Sequence, residues 1–518
     1  MEFIENAVGR KIPKYIEGIG ELKPYIGSFA VKPEGRKYAP SKAYNTPGNT
    51  KILNTIREAI EKVGLKDGMT ISFHHHLRDG DYILNTVVNE IAKMGIKDIT
   101  ICASSLNKAH APLIEHIKSG VITGIQSSGL RGKIGKEIST KNILGSPIIF
   151  RTHGGRARAI EAGDVKIDVA FLGASACDKM GNMNGVDGKS SFGAMGYAMV
   201  DAEYADKVVA ITDNIVEFPL YPISISQTLV DYVVVIDKIG NSSLISSGAT
   251  RVTKNPFELK IAENAAKVLI DSGYIKNGFS FQAGSGGASL AVVKFLEEYM
   301  EENNITGSFA SGGISSYLVK MLEKGLFKAL FDTQTFDCEA GSSLKRNHNH
   351  IEMSASTYAN PHNKGCIAHQ LDVMILSATE IDINYNINVM TGSTGIIMGA
   401  QGGHPDTAAG AKLTVVVAPL MRKRIPIVVD EVTTVVTPGE TVDVVVTERG
   451  IAINPRRTDI IEKLSKSNLP IMTIEELKNL AESFTGIPEK PEFEDEIVGI
   501  VEYRDGTIMD IIRKVKQK

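Results

Sequence analysis

The stretch Lys66-Asp67-Gly68-Met69-Thr70-Ile71-Ser72-Phe73-His74-His75-His76-Leu77-Arg78-Asp79-Gly80-Asp81 decides how this chain is read. Residues 69–73 are the apolar run of a short strand. Beyond Asp81, Ile83, Val87, Ile91 and Met94 recur at helical spacing. Three histidines and an arginine therefore occupy a strand-to-helix loop. Such loops collect free backbone N–H groups at the positive end of a helix dipole. Four cation-capable side chains added there predict a site for an anion with several charges.

Much of this pattern returns further on. Lys276-Asn277-Gly278-Phe279-Ser280-Phe281 matches residues 66–73, and the loop after it is Gln282-Ala283-Gly284-Ser285-Gly286-Gly287-Ala288-Ser289. Val292, Phe295, Leu296 and Tyr299 then mark a second helix. Ile117-Lys118-Ser119-Gly120-Val121-Ile122 returns as Leu322-Glu323-Lys324-Gly325-Leu326-Phe327, and Asp168-Val169-Ala170-Phe171-Leu172 as Asp372-Val373-Met374-Ile375-Leu376. The offset drifts only from 210 to 204, as expected of a duplicated domain with small insertions and deletions. Val/Ile-rich runs alternate with helical patterns, so the expected fold is α/β with two tandem domains and largely parallel sheets. We read residues 1–48 as an N-terminal arm, 49–240 as the first domain and 241–262 as a linker. Residues 263–518 read as the second domain with a C-terminal extension. In that extension residues 497–503 read as a strand, Arg504-Asp505-Gly506 as a tight turn and 508–516 as a further element.

The bulk numbers exclude several classes. A chain of 518 residues exceeds one ordinary core. A net charge of -3 gives no reason to expect nucleic acid or a membrane surface. No apolar run has transmembrane length, and the first residues lack the pattern of a signal peptide. Cys102, Cys177, Cys338 and Cys366 lie far apart with no CxxC, which argues against a thiolate zinc site or a disulfide framework. A cytoplasmic location is the simple expectation.

Four further loops have chemistry-bearing residues. Gly284, Gly286 and Gly287 would let a backbone approach a phosphate or thioester oxygen, or simply make a tight turn. A dinucleotide fingerprint would need glycine where Ser289 stands. Residues 390–410 are mostly small and include Gly402, Gly403, His404 and Asp406; backbone amides there suit an oxyanion hole, against the plainer reading of a surface loop. Arg151, His153, Arg156 and Arg158 follow a strand and could hold carboxylates, or be a solvated helix start. Glu448 and Arg449 end a strand, as site residues or as a capping ion pair. His348, His350 and His362 lack a third metal ligand by spacing, so no metal is expected. No G-x-S-x-G elbow is present.

At these residues the chain resembles the citrate lyase alpha subunit family, which belongs to the CoA-transferases. The stretches that carry the resemblance are residues 72–81, Arg151-Thr152-His153-Gly154-Gly155-Arg156-Ala157, residues 282–290, Gly402-Gly403-His404-Pro405-Asp406-Thr407-Ala408 and Thr447-Glu448-Arg449-Gly450-Ile451-Ala452. They run through nearly the whole chain. The resemblance implies two tandem CoA-transferase-like domains. It implies exchange of acetate for citrate on a thioester attached to the phosphoribosyl-dephospho-CoA arm of an acyl carrier protein, the gamma subunit. A beta subunit then cleaves the citryl carrier, and an oligomer is expected. No cofactor tightly bound by this chain is implied. Many CoA-transferases use a covalent glutamate where this chain has Ser308-Phe309-Ala310-Ser311-Gly312-Gly313, without one. On this reading His75, His76 and Arg78 hold citrate, with Arg151 or His153 assisting. Gly284, Gly286 and Gly287 receive the carrier arm, and Gly402 and Gly403 with His404 stabilise the oxyanion. Glu448 is a polar orienter or a fallback nucleophile. The alternatives are a stand-alone CoA-transferase for another di- or tricarboxylate, and a non-catalytic subunit that only docks the carrier.

Overall fold

The computed structural model describes residues 2–31, 48–246 and 253–517. Two large sheets organise them. The first contains, in chain order, β1 (Ile52–Leu53), β2 (Thr70–Phe73), β3 (Ile99–Ala103), β4 (Ile122–Ser127), β5 (Ile148–Arg151), β6 (Val169–Ala174), β7 (Lys207–Thr212) and β8 (Tyr232–Val235). The second contains β9 (Ser280–Ala283), β10 (Gly307–Ile314), β11 (Phe327–Thr335), β12 (His350–Glu352), β13 (Val373–Ser377), β14 (Leu413–Val417), β15 (Val444–Val446), β16 (Ile451–Ile453) and β17 (Ile471–Met472). The strand orders are 5-4-3-2-6-7-8-1 and 12-11-10-9-13-14-15-16-17. Seven strands thus follow one path twice, all pairing parallel.

The repeat seen in sequence is reproduced in detail. Asp168 Oδ2 accepts from Thr70 N at 2.8 Å, and Asp372 Oδ2 accepts from Ser280 N at 2.9 Å. Each carboxylate pins the start of the strand that leads to a ligand loop. The helices after those loops are α1 (Ile83–Lys93) and, in the second domain, Gly287–Glu302. Ile83, Val87 and Ile91 are buried on α1, as the spacing predicts. Under the first loop Phe73 of β2 stacks on Phe171 of β6 with centroids 6.0 Å apart. Truncating either to alanine costs about 3–5 kcal/mol, so the loop stands on a stiff base.

The C-terminal extension departs from its place in the sequence. Phe493–Glu502 (β18) and Ile508–Val515 (β19) form a hairpin. It pairs parallel with β5 of the first sheet, Glu502 opposite Arg151. The reason is an unfilled edge: β5 would otherwise expose a row of backbone donors and acceptors. The apolar faces of β18 and β19 suit any edge, so no local signal names the partner. The described part of the N-terminal arm lies on this hairpin. Tyr25 N donates to Ile508 O at 2.8 Å, and Ile508 N to Lys23 O at 2.7 Å. Ile12, Ile16 and Leu22 pack against Ile497, Ile500 and Ile508.

Residues 32–47 of the arm and 247–252 of the linker lie outside the described residues. Residues 256–262 already belong to the helix Pro256–Asp271, which packs in the second core. Among the described residues no helix is long and apolar enough to cross a membrane.

Candidate active site

Loops from the carboxyl ends of both sheets line one cleft of about 410 Å³. Parallel strands deliver ligand loops at that end. From the first domain come His75 and Arg78 after β2, Arg131 after β4, His153 at the start of α2 (His153–Ala162), and Tyr197 on α3 (Gly196–Tyr204).

His75 is a neutral donor. Ser104 Oγ accepts from His75 N at 3.0 Å and lies 2.6 Å from His75 Nδ1. The hydroxyl has one proton to give, and giving it to Nδ1 leaves the proton of the neutral ring on Nε2. Burial, then the neighbouring His153 and Arg78, hold the ring well below the usual histidine range. His153 is pulled down to about 3 by burial and by Arg156. Tyr197 packs against both rings, with centroids 4.9 Å from His75 and 4.4 Å from His153, which lie 5.7 Å from each other. The charge in this wall is therefore arginine, not imidazolium, which revises the notion of four cations.

Arg78 adopts φ +53°, a left-handed backbone that non-glycine residues seldom hold outside sites with a reason for it. Its guanidinium lies 5.2 Å from the Phe336 ring centroid, and its Nε is buried without a hydrogen-bond partner. Burial and the nearby Arg131 lower it to about 10, so it stays charged at neutral pH. Arg131 donates to Ser105 Oγ at 3.0 Å and more weakly to Asn107 at 3.4 Å. Asp79 is the carboxylate near both arginines and favours their charged forms. Two buried guanidinium groups side by side make a strong carboxylate trap.

The opposite wall is backbone. Gly284, Gly286 and Gly287 form the turn into Gly287–Glu302, a sixteen-residue helix (α4) whose first N–H groups are free of side-chain caps. A Cβ on Gly286 would stand 2.2 Å from Ser377 Oγ, and one on Gly403 2.3 Å from Tyr358 Oη. Gly402 has φ +56°. Gly312 and Gly313 line the floor, and a Cβ on Gly313 would meet Phe336 at 1.9 Å. Tyr358 accepts from Gln282 Nε2 at 2.8 Å, and Ser311 donates to Gln282 Oε1 at 2.9 Å. Tyr197 reaches across to donate to Gln334 Oε1 at 3.2 Å. Glu258 is the one carboxylate among the described lining residues.

The cleft brings together His75, Arg78, His153, Gly284, Gly286, Gly287, Gly402, Gly403 and His404 of the residues singled out in sequence. His76 lies behind the wall, fully buried, with Nδ1 2.8 Å from His74 Nδ1. Arg151 is turned away onto Glu502 at 2.9 Å and onto Gln126. Glu448 lies outside the lining and accepts from Leu420 N at 3.0 Å. Both ring nitrogens of His404 are engaged, with Thr437 Oγ1 at 2.7 Å and Ser377 O at 2.9 Å. Its ring therefore braces the β13 end. Sequence reading missed Arg131, Tyr197, Gln282 and Tyr358. Arg131 was reachable, since Ser127-Ser128-Gly129-Leu130-Arg131-Gly132 is another strand-to-helix loop of the same sheet.

Solved structures of low identity share this architecture. A Porphyromonas gingivalis 4-hydroxybutyrate CoA-transferase is 18% identical with a TM-score of 0.53, covering 80% of this chain and 93% of that one. A Pseudomonas malonate decarboxylase hetero-tetramer gives 17% and 0.62 over 85% and 84%. The two domains and the cleft between them are those of the CoA-transferase fold class. Much closer similarity narrows this. A family model described as citrate lyase, alpha subunit, matches residues 49–515. The citrate lyase alpha chain of Klebsiella pneumoniae is 52% identical over 495 residues, 96% of each chain, and that of Escherichia coli 49% over 467 residues, 90% of this chain and 91% of that one. A Streptococcus mutans structure described as a citrate lyase alpha subunit in complex with citrate is 53% identical. Its TM-score is 0.95, over 99% of this chain and 100% of that one. The chain belongs to the citrate lyase alpha subunit family, and it is an enzyme subunit of the citrate CoA-transferase class.

Proposed function

We propose that the chain exchanges acetate for citrate on the thioester of an acyl carrier protein by direct attack of a citrate carboxylate. Arg78 and Arg131 bind two carboxylates of citrate, with His75 Nε2 and His153 as neutral donors. The carrier's phosphoribosyl-dephospho-CoA arm enters over Gly284, Gly286 and Gly287. A citrate carboxylate oxygen attacks the acetyl carbonyl, and amides at Gly402 and Gly403 stabilise the oxyanion. The C–S bond breaks, giving an acetyl–citryl anhydride and a thiolate on the arm. The thiolate attacks the citryl carbonyl and acetate leaves. Arg151 and Glu448 have no part, because their side chains are engaged elsewhere.

The observation that supports this reading is the composition of the cleft: two buried arginines face a backbone turn, with Glu258 as the one lining carboxylate among the described residues. The crowding around Gly312 and Gly313 leaves no room there for a nucleophilic side chain. The family's alpha subunit also implies a beta subunit that cleaves the citryl carrier and a gamma subunit that is the carrier.

The purified chain is mixed with acetyl-loaded carrier and citrate, and the carrier's mass is followed. Citryl carrier and acetate are expected, with no chain carboxylate modified by hydroxylamine or borohydride. Exchange only with soluble CoA esters would replace this with a stand-alone CoA-transferase. No exchange with either acyl donor would leave a docking subunit.

A further inference from the structure

We propose that Arg504, on the turn of the C-terminal hairpin, is a positioning residue that sets the two walls of the cleft relative to each other. The inference rests on the proposed function for its turnover readout and on citrate binding for an independent one. Turn arginines are ordinarily solvated, yet Arg504 is 1% exposed. Its Nη1 donates to Asp406 O at 3.0 Å, and its Nη2 donates to His369 Nε2 at 2.5 Å. Its Nε has no hydrogen-bond partner and lies 3.9 Å from Asp406 Oδ1. Asp406 stands on α5 (His404–Gly410) of the second domain. Its carboxylate accepts from Thr152 Oγ1 at 2.7 Å and from Gly154 N at 2.9 Å, both in the first domain. Those residues flank His153, whose N–H donates to Gly402 O at 2.8 Å.

One guanidinium thus reaches, through Asp406, whose backbone it holds and whose carboxylate bridges to the first domain, the histidine placed at citrate and the glycine placed at the thioester oxygen. The junction has no slack: a Cβ on Gly154 would come within 2.0 Å of Ala359 O. Arg504 does not line the cleft and can touch neither reactant. It is suited to the task because one buried cation reaches both Asp406 and His369, and a lysine ammonium at the same depth can keep the charge and one of the two contacts. A buried carboxylate joining two domains also needs a cation near it to stay ionised.

The test uses the full-length chain as Arg504→Met, Arg504→Lys, Asp406→Asn and the double variant Arg504→Met with Asp406→Asn. Exchange turnover, KM for the carrier, and citrate Kd by calorimetry are measured, with thermal unfolding as a control for folding. Arg504→Met should lose at least tenfold in kcat, with carrier KM within twofold and citrate Kd raised about fivefold. Arg504→Lys should recover to within threefold of the parent. The double variant should be no worse than Asp406→Asn, since both break one link. Parental kcat and citrate Kd in Arg504→Met, equal losses in Met and Lys variants, or additive losses would each overturn the proposal. If Arg504→Met does not fold, the other two singles decide: a Lys variant near the parent with Asp406→Asn down tenfold supports it, and two parental values overturn it. Absence of exchange in the parent chain would count against the proposed function alone; the citrate Kd series would still judge Arg504.

Discussion

The loop after β2 and the loop after β9 leave equivalent strands of two sheets wound alike, and each leads into a helix. The first reaches the cleft with side chains: a neutral His75 and a charged Arg78 held in a left-handed backbone. The second reaches it with backbone: Gly284 to Gly287 at the start of a long helix. The same geometry occurs twice, and on the proposed function one copy suits negative charge and the other close approach. A polycarboxylate needs fixed cations and donors. A thioester arm needs room and N–H groups. Two similar domains can therefore receive two unlike reactants in one cleft, which a single copy with a single loop chemistry could not do.

The comparison breaks hardest at Arg78. Arg78→Ala should lower kcat/KM for citrate about 100- to 1000-fold, roughly 3–4 kcal/mol, because it leaves a carboxylate desolvated and unpaired. Carrier KM should move less than threefold. Equal losses for both reactants would erase the division of labour between the loops, and unchanged citrate kinetics would remove Arg78 from the citrate site.

The mirror experiment is Gly286→Ala. Its new Cβ would press on Ser377 Oγ, so carrier KM should rise about tenfold, roughly 1.4 kcal/mol, while citrate Kd measured by calorimetry stays put. A shift in citrate Kd of the same size would show that the glycine turn holds citrate instead.

The neutral state of the first wall can be read from stability. His153 ionises near 3 in the fold, below its ordinary value of 6.5. The unfolded chain thus takes up a proton that the folded chain refuses. Stability from this group is full above pH 6.5 and is lost as pH falls toward 3, at up to about 1.4 kcal/mol per pH unit. Between pH 6.5 and 5.5, His153→Gln should lose about 1 kcal/mol less than the parent in denaturant titrations. Parallel loss in both would mean that His153 is already charged in the fold.

The smallest effect is expected at the mouth. Arg422 lines the cleft on the glycine side, exposed, near Ala378. Arg422→Gln should raise carrier KM two- to threefold at low salt and not at all at high salt, since exposed charges are screened. A salt-independent change would point to packing.

The fold was legible because its signals are periodic. Alternating strand and helix patterns and a drifting offset near 205 residues needed no tertiary knowledge. The strand-to-helix loops were legible as candidates for the same reason, and nine of the singled-out residues line the cleft. What sequence could not say is where a side chain turns once its loop is placed. Arg151 ends one parallel strand and Arg78 follows another, yet Glu502 draws Arg151 away from the cleft. Glu502 lies on a hairpin far along the chain, and that pairing has no local signature. Glu448 was misjudged in the same way, since its partner is the backbone of Leu420. Tyr197 and Tyr358 escaped notice because aromatic residues on helices read as core, and only tertiary contacts place their hydroxyls.

The pairing of β18 with β5 also has a consequence for synthesis. The first sheet keeps an open parallel edge until residues 493–515 have been made, so its domain cannot finish folding while the second is being made. Until then β5 presents unpaired backbone to any neighbouring chain, the form of exposure that promotes misassembly during translation. The protein is therefore expected to tolerate slow elongation poorly.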